Sequence, residues 1–399
     1  MQPKGFALFG AVLLGVSRAR EWQFPQAAAA AAAQQPLGRV SDDNDDVDIL
    51  YGSQFNGLNT YARVPYVNCL SNEEVANGAK YDIAILGAPF DTAVTARPGA
   101  RYGPRGIRTS SQRKYADFAW SVYTGKNALK SWATVVDCGD VPLTVLDNNY
   151  ALAQLTKGHK VVSGRKAANQ SISSTPRIIM LGGDHTTTLP ALRSVHKHWG
   201  QASVIHFDSH LDTWEPSVIG GGLSDYAGLN HGTFLHIAHE EGLIRKTSIH
   251  AGIRAPIARP KEDIQNDEHC GFARITARDL DRIGTAGIIT RIRERVTGPV
   301  YISVDIDVLD PAFAPATGTP EPGGWSTREL LSILDGLAGL EVVGADVVEV
   351  APVYDTRGET TSLAAAEVVW SLLELMVETP VKSLADQAKY PRSKDITST

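Results

Sequence analysis

Short apolar runs alternate with longer, helix-like stretches from about residue 80 onward. Many of the short runs are rich in β-branched residues, and such runs favour strands that are buried on both faces. The runs that we expect to form strands cover residues 82–88, 134–138, 177–181, 203–208, 248–251, 300–307 and 342–350. Strands that alternate with helices are typical of a parallel sheet. The pattern therefore predicts a three-layer α/β/α fold with a mainly parallel central sheet.

Two helices carry clear signals of their own. Ser326 is followed three residues later by Glu329 and then by an apolar run, which is the pattern of a capping box at a helix start. Residues 361–377 form a longer apolar stretch, which we expect to pack as a helix on the sheet. Because no repeat and no second linker interrupts this part of the chain, the sequence predicts one domain over residues 75–390.

The first 74 residues differ in character from the rest. An apolar run over residues 6–16 follows a lysine and precedes small residues, which predicts a signal peptide over residues 1–19 and export from the cell. A mitochondrial presequence is the alternative, because two arginines precede the first acidic residue. Residues 20–74 contain an alanine run and an acidic run, and we expect them to form a disordered linker.

Charge and cysteine content narrow the classes of function. The formal net charge is -6 and no basic stripe stands out, so binding to nucleic acid has no electrostatic support. No stretch after the N-terminal run resembles a membrane span. Cys69, Cys138 and Cys270 lack the CxxC spacing of zinc sites, and at most one disulfide could form among them, which we do not expect. Candidate chemistry is therefore sought among the polar residues at the strand ends.

The first candidate is a histidine at the carboxyl end of the third predicted strand, at the edge where open parallel sheets build their sites. Gly182, Gly183 and Asp184 separate this strand from His185. The two glycines permit a sharp turn that leaves His185 at the strand end. Taken alone, such a histidine is as often structural as it is a ligand.

The second candidate follows the fourth predicted strand. Asp208, His210 and Asp212 are spaced two apart, so they face one side if the extended conformation persists. Three such side chains are costly to bury unpaired, and a cation removes that cost. His206 has the same parity but lies deeper in the strand, so we expect it to be a hydrogen-bonded core residue.

The third candidate lies in the sixth predicted strand, where Asp305 and Asp307 also share a face. Two carboxylates this close repel each other and raise a pKa unless a metal ion neutralises them. Asp310, which precedes Pro311, is more simply a turn residue.

Together the three segments supply four carboxylates and two imidazoles. This set suffices for two adjacent cations that share bridging carboxylates and a bridging water. Oxygen-rich ligation with some imidazole and no thiolate favours Mn²⁺ over zinc. The predicted metal ligands are His185, Asp208, His210, Asp212, Asp305 and Asp307.

In these motifs the chain resembles the ureohydrolase family of arginases, agmatinases and guanidino-acid hydrolases. The resemblance runs from about residue 80 to 380 and is carried by residues 182–185, 208–212 and 303–311. It implies an arginase-like fold with two manganese ions in each subunit. By the resemblance, one manganese is held by His185, Asp208, Asp212 and Asp305, and the other by Asp208, His210, Asp305 and Asp307.

The resemblance also assigns roles outside the metal ligands. His231 matches the proton-shuttling histidine of the family, and Glu349 matches the carboxylate that receives a guanidinium group. Asp212 is expected to position the attacking hydroxide. Without the family, His231 reads as a loop residue and Glu349 as a surface residue. The implied partner is a small cationic guanidino substrate, and the implied assembly is a homo-oligomer, a trimer or a hexamer.

Within the family the details are most similar to agmatinases. Residues 87–91 and 97–104 look like the N-terminal motifs of those members. Arginases place Asn and Ser shortly after the metal-binding strand to hold an amino-acid carboxylate, whereas this chain has residues 213–216 there, followed by a triple-glycine loop that ends at Asn230. The expected reaction is hydrolysis of agmatine to putrescine and urea. The alternatives are a guanidino-acid hydrolase acting, for example, on guanidinobutyrate, a single-metal amidohydrolase similar to deacetylases, and a secreted protein that binds metal without catalysis.

Overall fold

The computed structural model describes residues 58–71, 79–224 and 226–389. Eight strands in this part of the chain form one parallel sheet with the order β2-β1-β3-β8-β7-β4-β5-β6. The strands are β1 (Ile83–Gly87), β2 (Val135–Asp140), β3 (Arg177–Leu181), β4 (Ser203–Phe207), β5 (Ser248–Ile253), β6 (Phe272–Thr276), β7 (Val300–Asp305) and β8 (Val342–Val348).

Helices cover both faces of the sheet. They are α1 (Gly103–Ser110), α2 (Asn148–Ser163), α3 (Thr188–Trp199), α4 (Phe234–Glu240), α5 (Glu262–His269), α6 (Asp279–Arg295), α7 (Thr327–Asp335), α8 (Thr360–Glu378) and α9 (Leu384–Lys389). The predicted capping box is present at α7, where Ser326 accepts the N–H of Glu329 and Glu329 accepts the N–H of Ser326. The predicted three-layer α/β/α fold is confirmed.

Alternation along the strands divides the apolar core into two layers. In β3, Ile179 and Leu181 pack with side chains of α1, α6, α7 and α8, whereas Ile178 and Met180 pack with side chains of α2, α3 and α4. Successive side chains of a strand point to opposite faces, so a strand that is apolar at every position must be covered on both sides. The apolar runs of the strands therefore require the helices that cover both faces of the sheet.

All seven predicted strands are present, and their ends lie within two residues of the predicted ends. The edge strand β6 was not predicted from the apolar pattern. Its burial is incomplete, and Arg274 stands in its middle. An edge strand with a charged residue lacks the continuous apolar run on which the other strands were recognised.

Helix α8 is the one helix in the described ranges that is long and apolar enough to cross a membrane, and 72% of its apolar window is buried inside the domain.

The described residues just before β1 pack against the domain. Tyr61 is fully buried, its hydroxyl donates to the carbonyl of Ala366 in α8 at 2.8 Å, and its backbone N–H donates to Asp137 Oδ2 at 2.8 Å. Residues 58–71 thus differ from the disordered linker that was expected over residues 20–74. The low-complexity part of the sequence ends before Tyr61, and the buried ring of Tyr61 holds the following residues on the domain. The predicted signal peptide and residues 20–57 of the linker lie outside the described residues.

A disulfide joins this segment to the sheet. Cys69 and Cys138 form a disulfide bond across 69 residues of sequence, with their Cα atoms 5.3 Å apart. The expectation that no disulfide forms is therefore wrong. An odd number of cysteines gives no framework to read, and only the packing of residues 58–71 beside β2 brings this pair together. Cys270 is free and buried.

Candidate metal centre

The candidate site lies at the carboxyl ends of four neighbouring strands, β3, β8, β7 and β4. These strands are consecutive in the sheet, although β3 and β8, like β7 and β4, do not follow each other in the chain. Since the carboxyl ends of parallel strands meet at one edge, residues that follow different strands can converge there. The structure brings together all eight residues to which the sequence analysis gave a metal or catalytic role. They are His185, Asp208, His210, Asp212, His231, Asp305, Asp307 and Glu349.

The turn after β3 depends on a close backbone approach. A Cβ on Gly183 would lie 1.8 Å from the carbonyl oxygen of Phe90, so no other residue fits there. The same carbonyl accepts the N–H of Asp184 at 2.7 Å, and the Gly183 carbonyl accepts the N–H of Glu349 at 2.8 Å. Neither Gly182 nor Gly183 has a positive φ. The expected turn is present as a bend at residues 183–184, and close packing, not a positive φ, is what requires glycine at position 183.

One group of ligand atoms surrounds His185. Its Nδ1 lies 3.1 Å from Asp208 Oδ2, 3.1 Å from Asp212 Oδ2 and 3.4 Å from Asp305 Oδ2. His185, Asp208 and Asp212 belong, with His206, to a buried set whose ligand atoms all lie within 4.8 Å of one another. Such a set can hold one cation.

A second group shares Asp208 with the first. His210 Nδ1 lies 3.3 Å from Asp208 Oδ1 and 3.1 Å from Asp307 Oδ2. Asp208, His210 and Asp307 again place ligand atoms within 4.8 Å of one another. Two adjacent sets with a common carboxylate are the arrangement that a pair of bridged cations requires.

The second segment converges by a turn and not by strand alternation. Strand β4 ends at Phe207, and Asp212 has a left-handed backbone with a φ of 53°. The condition on which the predicted shared face depended, an extended conformation through Asp212, is therefore not met. A left-handed non-glycine residue costs about 1–3 kcal/mol and persists only where its surroundings hold it. Here Asp208 Oδ1 accepts the N–H of His210, and the carbonyl of Asp212 accepts the N–H of Leu235.

Unpartnered buried atoms test whether a metal ion fits this centre. Four buried polar atoms of the site make no hydrogen bond within the described part of the chain: His185 Nδ1, His206 Nε2, Asp208 Oδ2 and Glu349 Oε2. The first three face one another, and buried lone pairs of this kind are costly unless a cation compensates them. The donor set, imidazole and carboxylate without thiolate, matches divalent transition-metal ions.

The electrostatics of the carboxylates point the same way. Burial raises the pKa of Asp305 well above its ordinary value, and the negative charges of Asp307 and Asp208 raise it further. Burial and the charge of Asp208 raise the pKa of Asp212 to about 6. Carboxylates that are forced this close require positive charge, which a divalent cation supplies.

A chain of hydroxyl groups supports His185 from behind. Its Nε2 lies 2.8 Å from Ser303 Oγ, and Ser303 donates to Asp346 Oδ1 at 2.6 Å. Asp346 Oδ2 accepts the hydroxyls of Tyr301 and Thr188. Such contacts orient a metal-binding imidazole. The sequence analysis missed this support, although Ser303 and Asp346 stand out as polar residues inside the apolar runs of β7 and β8.

His206 combines a core position with a contact to the site. It is fully buried, its Nε2 lies 3.0 Å from Asp208 Oδ2, and its Nδ1 lies 2.8 Å from His250 Nδ1. The predicted hydrogen-bonded core role agrees with the contact to His250.

Glu349 and His231 form a pair beside the metal-binding groups. Glu349 has a φ of 59°, and its Oε1 accepts the N–H of His185 at 2.9 Å and lies 3.0 Å from His231 Nδ1. Burial alone would lower the pKa of His231, but the hydrogen bond and charge of Glu349 raise it to about 9. On the other side of the ring, the N–H and hydroxyl of Thr95 lie 3.0 and 2.8 Å from Nε2. An N–H donor at Nε2 suits the neutral ring, whereas Glu349 favours the charged one, so both states find partners.

Asp184, next to His185, also belongs to the site although the sequence analysis gave it no role. Its carboxylate accepts the N–H groups of Thr186 and Ala93 at 3.0 and 3.1 Å. Burial and the charge of Glu349 raise the pKa of Asp184 to about 7. Asp184 thereby fixes the segment that presents Thr95 to His231.

A cavity of about 290 Å³ opens beside the pair and the metal-binding groups. It is lined by Thr95, His210, Asp212, Trp214, Ile219, His231, Gly232, Asp305 and Thr319. Trp214 and Ile219 come from the 213–230 loop and form an apolar wall, and no lysine or arginine is among the lining residues. The space suits a small molecule whose end reaches the carboxylates.

The site combines two adjacent sets of metal-binding groups, a buried acid and a histidine with two accessible protonation states. These features define a class of protein, the metal-dependent hydrolases. Residues 81–374 match the family described as "Arginase family". The chain belongs to the arginase family. It is a hydrolase of carbon–nitrogen bonds, and the resemblance on which the sequence analysis relies is confirmed.

Known proteins similar to the chain support this assignment. The protein named "Putative agmatinase 1" of Schizosaccharomyces pombe is 50% identical over 347 residues, which are 84% of this chain and 86% of that protein. The agmatinase of Neisseria meningitidis serogroup C is 36% identical over 74% of this chain and 87% of its own length. The solved structure of proclavaminate amidino hydrolase from Streptomyces clavuligerus superposes with a TM-score of 0.71 at 33% identity, covering 82% of this chain and 99% of that one.

Proposed function

We propose that the protein hydrolyses agmatine to putrescine and urea with two manganese ions. The observation that carries this proposal is the unpartnered Oε2 of Glu349 beside a small cavity whose lining residues include no lysine or arginine. A buried carboxylate oxygen without a partner suits a guanidinium group. Agmatine has a second positive charge at its other end, and Glu321 Oε1 lies 3.8 Å from His210 at the cavity. The relatives named agmatinase agree with this substrate.

The residues that would hold the ions are the six predicted ligands, His185, Asp208, His210, Asp212, Asp305 and Asp307. Their oxygen-rich set favours manganese over zinc. When bound, such a pair of ions lowers the pKa of water so that it attacks a carbon atom near neutral pH. The ligand assignment is the one that the sequence resemblance implies, with Asp208 and Asp305 shared.

The other residues of the site bind, orient and move protons. Glu349 Oε2 receives the guanidinium group and orients its carbon towards the carboxylate edge. The left-handed backbone of Asp212 turns its carboxylate to the same carboxylate edge. There it accepts a hydrogen bond from the attacking oxygen and fixes the direction of attack. His231 then carries a proton from Nε2 to the leaving amine, because its ring is stable in both protonation states.

The site argues against each of the three alternatives. It lacks a group that the first alternative needs, and it contains groups for which the other two have no use. A guanidino acid has a carboxylate at its far end, and no lysine or arginine is among the residues that line the cavity to receive it. A single-metal hydrolase does not need the second group of Asp208, His210 and Asp307. A protein that binds metal without catalysis does not need a buried acid with a free oxygen.

Urea release by the purified, manganese-loaded protein tests the proposal. The substrates to compare are agmatine, arginine, 4-guanidinobutyrate and 3-guanidinopropionate. We expect agmatine to give the highest kcat/KM. Faster turnover of either guanidino acid would overturn the choice of substrate, and release of no urea from any of them would overturn the function.

Assembly and location complete the proposal. The segment from Phe118 to Tyr123 exposes several large apolar side chains, which suits contact with further subunits of a trimer or hexamer. The Cys69–Cys138 disulfide suits an oxidising compartment, and so supports export. Light scattering on the native protein tests the assembly, and a monomer would contradict it. Detection of a C-terminally tagged full-length chain in the medium tests export, and retention in mitochondria would contradict it.

A further inference from the structure

Helix α5 carries none of the family motifs, yet one of its faces is turned towards the metal centre. Asp263, Asn266 and Asp267 are spaced three and four apart, so they share this face. Asp263 and Asp267 are buried, whereas Glu262 and Gln265 on other faces are exposed. Buried acids on a short helix require partners, and their partners lead into the site.

The first set of partners is the segment that follows Asp212. The hydroxyl of Thr213 donates to Asp267 Oδ1 at 2.8 Å, and the side-chain amide of Asn266 donates to the Thr213 carbonyl. The indole N–H of Trp214 lies 3.3 Å from Asp263 Oδ2. Helix α5 therefore fixes the chain immediately after a predicted metal ligand that has a left-handed backbone.

A second set of partners leads from Asp267 to the other side of the centre. The oxygen that accepts the Thr213 hydroxyl also lies 2.8 Å from His250 Nε2. His250 Nδ1 lies 2.8 Å from His206 Nδ1, and His206 Nε2 lies 3.0 Å from Asp208 Oδ2. All of these side chains are fully buried. One carboxylate oxygen is thus linked to Asp208 by short contacts through His250 and His206, and to Asp212 through Thr213, its neighbour in the chain.

The remaining oxygen of Asp267 is anchored away from the site. Arg274 of β6 donates to Oδ2 at 2.5 Å and also binds Glu268. The carboxylate of Asp267 is therefore held from both sides, with Arg274 towards the surface and His250 and Thr213 towards the sheet. A group fixed in this way can determine where its neighbours lie.

We propose that Asp267 is a positioning residue for the metal centre, acting through Thr213 on Asp212 and through His250 and His206 on Asp208. The inference rests on the proposed function, in that it takes these two aspartates as metal ligands. Replacing the outer partners of metal ligands typically weakens metal affinity by about 10–100-fold. Since Asp208 belongs to both ligand groups, a displacement of its carboxylate affects the whole centre.

The test measures the affinity of the folded, metal-free protein for Mn²⁺ by titration calorimetry. The variants are Asp267→Asn, His250→Phe, the double variant of both, and Thr213→Val, which removes only the hydroxyl. We expect each single variant to weaken the affinity, with Asp267→Asn and His250→Phe losing about 10–100-fold. The double variant is expected to bind Mn²⁺ no more weakly than the single variant with the lower affinity, because both substitutions break the same chain of contacts.

His159→Phe is the matched control. His159 is also fully buried on the sheet, but its Nε2 contacts Met180 Sδ and no residue of the centre. We expect this variant to lose stability while it keeps the wild-type affinity for Mn²⁺. An equal loss of affinity in His159→Phe would show that any buried defect disturbs the centre, and would overturn the proposal.

Wild-type affinity in folded Asp267→Asn would also overturn the positioning role. If this variant fails to fold, His250→Phe and Thr213→Val decide the question, and wild-type affinity in both would have the same meaning. The readout is independent of catalysis. A wild-type protein that binds manganese but releases no urea refutes the proposed function alone, and one that binds no manganese refutes both.

Discussion

Glu349 Oε1 lies 3.0 Å from Nδ1 of His231, and this one oxygen also accepts the backbone N–H of His185. The protein thereby occupies one oxygen of the carboxylate and leaves Oε2 without a partner among the described residues. A guanidinium group on Oε2 would compete with His231 for the same negative charge. Binding of a cationic substrate therefore favours release of the proton that His231 carries.

This pair gives the stability of the metal-free protein a defined pH dependence. Glu349 raises the pKa of His231 from 6.5 to about 9, against the lowering effect of burial. Because the folded-state pKa is the higher one, the stabilisation is complete below about pH 6.5 and is lost as the pH rises through about 9. We expect the difference in the free energy of unfolding between wild type and His231→Gln to shrink between pH 6.5 and 9.5. Urea denaturation at four pH values measures it, and a constant difference would contradict the pairing.

Glu349→Gln should damage catalysis without emptying the metal centre. The change removes the buried charge opposite a guanidinium group, a loss of about 3–5 kcal/mol, which corresponds to a fall of about 10²–10⁴-fold in kcat/KM. Steady-state kinetics and metal analysis measure the two effects. Glu321→Gln, farther along the proposed substrate, is the control and should lose less. Equal kcat/KM in wild type and Glu349→Gln would remove Glu349 from the reaction.

The two ligand groups predict different metal contents for two aspartate variants. Asp208 belongs to both groups, whereas Asp307 belongs to the second alone. We expect Asp307→Asn to retain one tightly bound ion and Asp208→Asn to retain none. Metal analysis after dialysis gives both stoichiometries. Two ions in Asp208→Asn would show that the centre is held by other residues.

Trp214 should limit the length of the substrate. Its ring lines the cavity and its indole N–H lies 3.3 Å from Asp263. Trp214→Ala enlarges the cavity, so we expect the five-carbon homologue of agmatine to gain about tenfold in kcat/KM relative to agmatine, since one methylene is worth about 1–3 kcal/mol. Leu146→Ala changes an exposed side chain that does not line the cavity and should leave the ratio unchanged. An unchanged ratio in Trp214→Ala would move the specificity elsewhere.

The disulfide should matter for stability and not for chemistry. Cys69 and Cys138 close a loop of 69 residues, for which the chain-entropy relation gives about 4 kcal/mol. We expect the variant with both cysteines replaced by serine to lose up to this amount in the free energy of unfolding and to keep its kcat at 25 °C. Dithiothreitol should destabilise the wild type alone. Equal stability of oxidised wild type and the double variant would contradict the bond.

The sequence predicts most of the sheet because its strands contain short, largely apolar runs, such as Ile178 to Leu181 in β3. It misses β6 because Arg274 interrupts the apolar pattern at the sheet edge. The six candidate ligands follow from the cost of burying them, and the structure brings them together. Which ion each of them binds stays a prediction.

The remaining site residues follow from no local pattern. His231 lies in a loop and Glu349 has a left-handed backbone, and only the family resemblance assigns them a role. The hydrogen-bond partners of Asp346 lie 43 to 158 residues away in the sequence. Those of Asp267 lie 7 to 54 residues away. Contacts at such separations depend on how the strands are ordered in the sheet, which the spacing of apolar residues does not determine.

The strand order also governs how the molecule can come into being. Strands β2, β1 and β3 form one half-sheet and β7, β4, β5 and β6 form another, and β8 alone joins them. His185 belongs to the first half, whereas Asp208 and Asp305 belong to the second. As synthesis proceeds from the N-terminus, both halves leave the ribosome before the strand that unites them. The centre is therefore completed last, and a fragment that stops short of Val342 lacks the strand that brings His185 to the ligands of β4 and β7.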